Sequence, residues 1–259
     1  MITGYAKELN KKFPDHQIVA GNRKEKILVN SQIFQNNPIL GNLEKLKNTK
    51  TIWIESFPGN RPYILKQHEN YYQWNYKHKP NAGEIFFSKN ETEYAKQTLN
   101  NIKLNWFKKN KNDFKKIIFI EPSRVKRTKN NGAINRDWGI LKWQKLINNF
   151  KNEYLFIQPV YNGSEYLDGV FGFECGFRNA CAVMRIVDFV ISWEGGYVHA
   201  AAALNKKGIF LYGGWIDPKI TGYDIHNNIY VDIENSPCGN LKKCNHCDKC
   251  RELITVNKI

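Results

Sequence analysis

Ile191-Ser192-Trp193-Glu194-Gly195-Gly196-Tyr197-Val198-His199-Ala200-Ala201-Ala202-Ala203-Leu204 is the stretch that decides the fold of this chain. Val187-Asp188-Phe189-Val190-Ile191 leads into it, short, apolar and β-branched, as a strand covered on both faces should be. The alanines after His199 form a strong helix. Between strand and helix, Gly195 and Gly196 let the backbone turn sharply and approach a ligand closely. The free N–H groups of a helix start, with its positive dipole end, favour an anion there. A second apolar run, Gly208-Ile209-Phe210-Leu211-Tyr212, follows within a few residues. Strand, helix and strand predict one right-handed crossover, with the glycines at the carboxyl end of the first strand, where open α/β sheets hold ligands.

The same alternation extends upstream. Ile117 to Ile120 reads as a strand, Trp138 to Phe150 as a helix, Tyr154 to Gln158 as a strand and Asn179 to Val187 as a helix. Regular alternation predicts a parallel sheet with helices on both faces. Earlier still, Tyr5 to Phe13 has helical spacing, while Gln17 to Ala20 and Thr51 to Glu55 read as strands. The aromatic group Tyr71-Tyr72-Gln73-Trp74-Asn75-Tyr76 fits either packing under a long loop or a ligand platform. Ser88 or Asn90 can cap a helix running to about Phe107, with Glu91 and Glu93 favourable in its first turn. The Lys and Asn stretch from Lys108 to Asn112 is then a linker, dividing the chain into units 1–110 and 111–259.

A hydrophobic fraction of 42% in 259 residues is enough for one large or two modest cores and excludes a disordered chain. No apolar run approaches the roughly 20 residues that span a bilayer. The opening Met1-Ile2-Thr3-Gly4-Tyr5-Ala6-Lys7 has no signal-peptide core, so a cytoplasmic location is expected. The net charge of +15 points to an anionic partner, but the basic residues are dispersed and no nucleic-acid motif accompanies them. No specific nucleic acid is therefore expected. A nucleotide sugar, or peripheral contact with an anionic membrane, accounts for the charge equally well.

Of six cysteines, Cys175 and Cys181 lie in the apolar middle. Cys238, Cys244, Cys247 and Cys250 crowd near the end with His246 among them, and thiolates at such spacing can share a tetrahedral structural zinc. The alternative is packing alone, because two residues on either side of Cys247 is tighter than the usual paired knuckle.

Glu194-Gly195-Gly196-x-x-His199-x-Ala201-Ala202-Ala203 resembles the Asp-Ser-Gly-x-x-His-x-Ala-Ala-Ala segment of glycosyltransferase family 9, the heptosyltransferase-like enzymes of lipopolysaccharide synthesis. Ile117 to Pro122 is similar to the first strand of that family's donor domain, and Asn135 to Gln144 to its tryptophan-bearing helix start. Gly213-Gly214-Trp215-Ile216-Asp217-Pro218 stands in for its Phe-Gly-x-x-x-Pro turn, and the resemblance runs from Gly4 to the end. It implies a GT-B fold, with two Rossmann-like domains facing a cleft. It also implies inverting transfer of a sugar, ADP-heptose by analogy, from a nucleotide-diphosphate donor to a cell-surface glycan or glycolipid acceptor at the inner face of the membrane. Among the cations of the loop that follows Ile117 to Ile120, the resemblance favours Lys126 and Arg136 as phosphate contacts. Gly195 and Gly196 would hold phosphate, Glu194 would bind sugar hydroxyls and His199 would orient the diphosphate. No metal cofactor is required for this chemistry, because cations and a helix end neutralise the leaving group.

One departure matters. Members of the family begin with a strand and a Gly-Asp loop whose acid is the acceptor base; here Met1 falls inside what corresponds to the following helix, so a shortened first unit is expected. Glu55, at the end of a strand, is the best remaining carboxylate for the base, its alternative being a surface acid. Two other readings compete with transfer: a catalytically silent nucleotide-sugar or glycan-binding module, and a basic, zinc-stabilised nucleic-acid binder.

Overall fold

The computed structural model describes residues 1–41, 50–55, 61–122 and 134–259. The first half contains α1 (Ile2–Lys12), β1 (Gln17–Asn22), β2 (Ile27–Leu28), β3 (Thr51–Ile54), β4 (Ile64–Gln67), β5 (Tyr72–Trp74) and α2 (Lys89–Asn110). The second contains β6 (Ile117–Glu121), α3 (Ile140–Phe150), β7 (Leu155–Val160), β8 (Phe171–Glu174), α4 (Phe177–Met184), β9 (Phe189–Trp193), α5 (Gly196–Ala203), β10 (Gly208–Gly213), α6 (Pro218–Thr221), β11 (Asn227–Tyr230) and α7 (Asn245–Leu253).

The dominant feature is a six-stranded sheet in the order β11-β10-β9-β6-β7-β8, parallel throughout. Alternation along β6 explains how it is covered. Ile117 and Phe119 enter a core shared with α2, α4 and α5, whereas Ile118 and Ile120 enter one with Trp143, Leu146 and Ile147 of α3 and Cys250 of α7. Strands buried on both faces favour apolar residues on either side, which is why β6, β7 and β9 open as apolar runs, with buried Glu121, Gln158 and Ser192 only toward their carboxyl ends. The α/β class and the β9–α5–β10 unit expected from the sequence are both present, with β9 and β10 adjacent and parallel.

The first half is smaller and mixed. β1 pairs parallel with β3 and antiparallel with β2, while β4 and β5 form a separate antiparallel hairpin. Among the described residues, its own core consists of Ala6, Ile18, Ala20 and Ile54 with partly buried neighbours. The expected parallel sheet with helices on both faces therefore holds for the second half, and the first carries a three-stranded one.

Helix α2 runs past its expected end near Phe107. Ser88 and Glu91 form a reciprocal capping box at its start, and it continues through the expected linker to Asn110, where Lys111 adopts a left-handed conformation. Ala95, Leu99, Ile102 and Trp106 face the core of the six-stranded sheet, so burial on that side overrides the charged look of the helix end. Arg178 of α4, only 4% exposed, completes this joint: it donates to both carboxylate oxygens of Glu91 and to the carbonyls of Gln32 and Phe86. Among the described residues, no helix is long and apolar enough to cross a membrane.

Candidate functional site

The carboxyl ends of β9 and β10 open into a cavity of about 310 Å³ between the two halves. Glu194, Gly195, Gly196 and His199 line it from the β9–α5 turn, Trp215, Ile216 and Thr221 from beyond β10, Arg136 from the segment before α3, and Arg61 and Tyr63 from the first half. Helix α5 begins at Gly196 with Gly195 as its cap, so its first backbone amides lie at the cavity wall. A side chain at Gly196 would meet the Phe177 ring at 3.3 Å, a tight approach that suits glycine.

An ion pair dominates the floor. Arg136 Nη1 lies 2.9 Å from Glu194 Oε1, with 19% and 9% of the two side chains exposed. The guanidinium lies over two indoles, its central carbon 5.0 Å from the Trp193 ring centre and 4.6 Å from that of Trp215. Two aromatic rings and a carboxylate hold the cation, while its Glu194 partner keeps further acceptor sites for a ligand. His199 sits on the first turn of α5, its Nδ1 2.9 Å from Tyr223 Oη. Burial lowers the His199 pKa to about 3 and pushes the Tyr223 hydroxyl up, so both are neutral at pH 7.

Thus the structure brings Arg136, Glu194, Gly195, Gly196 and His199 to one cavity. Lys126, with Arg124, Arg127 and Lys129, lies outside the described residues. Glu55 stands apart from this cavity. It is exposed, it accepts a hydrogen bond from the Arg23 backbone N–H at 2.9 Å, and it does not line the cavity. A carboxylate at the end of the small sheet satisfies the neighbouring turn instead of facing the donor side. Among the described lining residues, Glu194 is the one carboxylate. The sequence reading missed Trp193, Tyr223, Arg61 and Tyr63; for Trp193, the available signal was its place beside Glu194 at the strand end.

The late cysteines also regroup. Ligand atoms of Cys238, Cys244, Cys247 and His246 lie within 4.8 Å of one another. Cys250, expected as the fourth ligand, instead packs fully buried in the core beneath the sheet with Trp138 and Ile254. Three residues of helix carry it about 4.5 Å past Cys247 along the axis of α7, and its Sγ lies 3.6 Å from His246 Nε2, beside the group, in which His246 stands as the fourth member.

No family model and no curated protein matches the chain. Among solved structures, it is similar to a glycosyl transferase family 9 protein from Veillonella parvula DSM 2008, with 14% identity and a TM-score of 0.46 over 69% of this chain and 52% of that one. It is also similar to E. coli ADP-heptose lps heptosyltransferase II, with 12% identity and a TM-score of 0.42 over 70% of this chain and 52% of the other. E. coli heptosyltransferase WaaC with ADP matches at 16% identity and a TM-score of 0.35, over 54% and 40% of the respective chains. The chain spans about half the length of the first of these structures.

Proposed function

We propose that the cavity at the β9–α5 turn is the nucleotide-diphosphate-sugar site of a glycosyltransferase-like protein, which passes the sugar with inversion to a cell-surface glycan or glycolipid acceptor. The observation that carries this reading is the convergence of a helix start, an Arg136–Glu194 pair and a neutral His199 on one cavity at the carboxyl end of a parallel sheet. Phosphate oxygens would accept from the first amides of α5. With the Tyr223 O–H donating to Nδ1, the His199 proton stays on Nε2, and the neutral ring can donate a hydrogen bond from that N–H to a diphosphate oxygen. Glu194, held at one oxygen by Arg136, would receive sugar hydroxyls at the other. Heptose is the sugar favoured by the sequence resemblance. The dispersed positive charge would support peripheral contact with an anionic membrane at its cytoplasmic face.

Transfer needs a base for the acceptor hydroxyl, typically worth about 100-fold to 10,000-fold, and Glu194 is already committed to Arg136. That favours a second reading, donor binding with little turnover. The two readings separate by product formation with an ADP-sugar. The site itself is tested by thermal protection: ADP should raise the melting temperature more than adenosine does, and Gly196→Val, which forces a side chain against Phe177 at the helix start, should remove most of the difference. Equal protection by nucleoside and diphosphate in the wild-type protein would refute phosphate binding at this turn.

A further inference from the structure

Cys238, Cys244, His246 and Cys247 sit apart from the chemistry proposed above. Cys244 caps the start of α7, His246 and Cys247 lie on its first turn, and Cys238 comes from the loop before it. The Sγ atoms of Cys238 and Cys247 are 3.1 Å apart, and all four ligand atoms fall within 4.8 Å of one another. Tetrahedral zinc with Zn–S near 2.3 Å and Zn–N near 2.0 Å places its ligands roughly 3.5–3.8 Å apart, so the Cys238–Cys247 pair opens by about half an ångström while the wider pairs, none beyond 4.8 Å, draw in. Thiols are weak hydrogen-bond donors and acceptors, and three of them converging with an imidazole satisfy one another poorly. A soft divalent cation satisfies all four. Ser236 Oγ, 3.2 Å from His246 Nε2, supplies the outer hydrogen bond that orients such an imidazole.

The loop between these ligands reaches the donor cavity. Its backbone is held by Cys238 N–H donating to Gly214 O and Gly239 N–H donating to Trp215 O, each at 3.0 Å. Trp215 Nε1 donates to Asn240 O at 2.7 Å, and Asn135 Nδ2 donates to Asn240 O and Lys242 O at 2.9 and 2.7 Å. The Asn240 side chain in turn donates to Cys244 Sγ at 2.9 Å. Asn135 precedes Arg136, and Trp215 is one of the two rings beneath the Arg136 guanidinium. We infer that Cys238, Cys244, His246 and Cys247 hold one structural zinc ion, and that this ion, by fixing the 238–244 loop, positions Arg136 and Trp215. All four positions are filled by protein, so the ion has no open site for chemistry.

The test uses the full chain, purified without chelator and analysed for metal. About one zinc per chain is expected, retained in Cys250→Ser and lost in Cys244→Ser and His246→Ala. Should those variants fail to fold, cobalt exchanged into the wild-type protein reports the ligands directly, through tetrahedral d–d bands and thiolate charge-transfer bands of three sulfurs. Hydrogen exchange reads the positioning role independently of nucleotide binding: removing zinc should speed exchange of the Cys238 and Gly239 amides and of residues 134–138, while β6 and β9 stay protected. A zinc-free protein whose six cysteines all titrate as free thiols or disulfides overturns the site. Zinc that follows Cys250 and ignores His246 overturns the ligand set, and unchanged exchange at residues 134–138 overturns the positioning role. None of these readouts depends on the donor reading, so the two can fail separately.

Discussion

Arg136→Met is the substitution that interrogates the cavity most directly. At an effective dielectric near 20, unit charges about 4 Å apart interact by about 4 kcal/mol. Breaking a fully buried pair from one side typically costs about 3–5 kcal/mol, because the remaining charge is left without a partner. Here Glu194 is 9% exposed and Arg136 19%, so part of that loss is recovered from solvent, leaving about 2–3 kcal/mol. Loss of the guanidinium from over Trp193 and Trp215 adds roughly 0.5–1 kcal/mol, partly offset by the thioether that takes its place. A net loss of about 3 kcal/mol lowers the melting temperature of a chain this size by roughly 6–12 °C.

The control is Arg136→Met with Glu194→Leu. Replacing both charges by apolar groups removes the stranded carboxylate, and a coupling of about 2 kcal/mol should appear as recovered stability in the double variant. Urea unfolding of the wild type, both single variants and the double variant gives the cycle, and ADP protection is measured on each. Stability should return in the double variant while ADP protection does not. An Arg136→Met protein within about 0.5 kcal/mol of wild type, with no coupling to Glu194, would mean an exposed pair of the kind that contributes little, and the preorganised floor would be wrong.

Two pH effects have opposite molecular origins and the same direction. Glu91, bonded to Arg178, has its carboxyl lowered to about 2, so its stabilisation is full above the unfolded pKa near 4.5 and is lost as pH falls toward 2; allowing for solvent around a 19% exposed side chain, that is about 1–2 kcal/mol. Glu91→Gln should flatten the acid-unfolding curve between pH 5 and 2.5, and an unchanged slope would count against the α2–α4 joint. His226 packs against Phe210 and its Nε2 donates to Lys206 O, with burial lowering its pKa to about 4. Below the unfolded value near 6.5 the unfolded chain takes a proton the folded one refuses, so stability is full above 6.5 and about 2 kcal/mol lower at pH 5. His199, His78 and the Met1 amino group act in the same sense, so His226→Gln should remove only its own share, about 2 kcal/mol, of the decline between pH 7.5 and 5 seen by thermal unfolding.

The fold was legible where one strand or helix carried its own pattern. β6, β9 and β10 are apolar over most of their length because both sheet faces are covered, polar residues entering only at their carboxyl ends as Glu121 and Ser192, and Ser88 with Glu91 announced the start of α2. The edge strands were not legible. β8 contains Gly172 and β11 begins with Asn227 and Asn228; their ladders are supplied by the neighbouring strand rather than by local preference. The far end of α2 was misread because Lys108, Lys109 and Asn110 look like a solvated linker, whereas burial of Trp106 one turn earlier holds the helix together.

The site divides the same way. Glu194, Gly195, Gly196 and His199 lie within six residues on one turn, so spacing alone assembles them. The Arg136–Glu194 pair spans 58 residues and its aromatic walls come from two different strand ends, which no local pattern encodes. That pair changes the electrostatic reading of the turn. Sequence reasoning treated Arg136 as a free cation for phosphate and Glu194 as a free acceptor for sugar, yet together they carry no net charge. Anion attraction at the cavity would therefore rest on the amides of α5, on Arg61 and on the field of a chain with a net charge of +15, while the pair supplies direction: a guanidinium on one side and a carboxylate oxygen on the other. On the proposed reading, such a cavity would select a ligand by where its phosphate and hydroxyl groups lie relative to each other, so a sugar diphosphate should bind more tightly than phosphate alone, as competition by inorganic phosphate against ADP protection would measure.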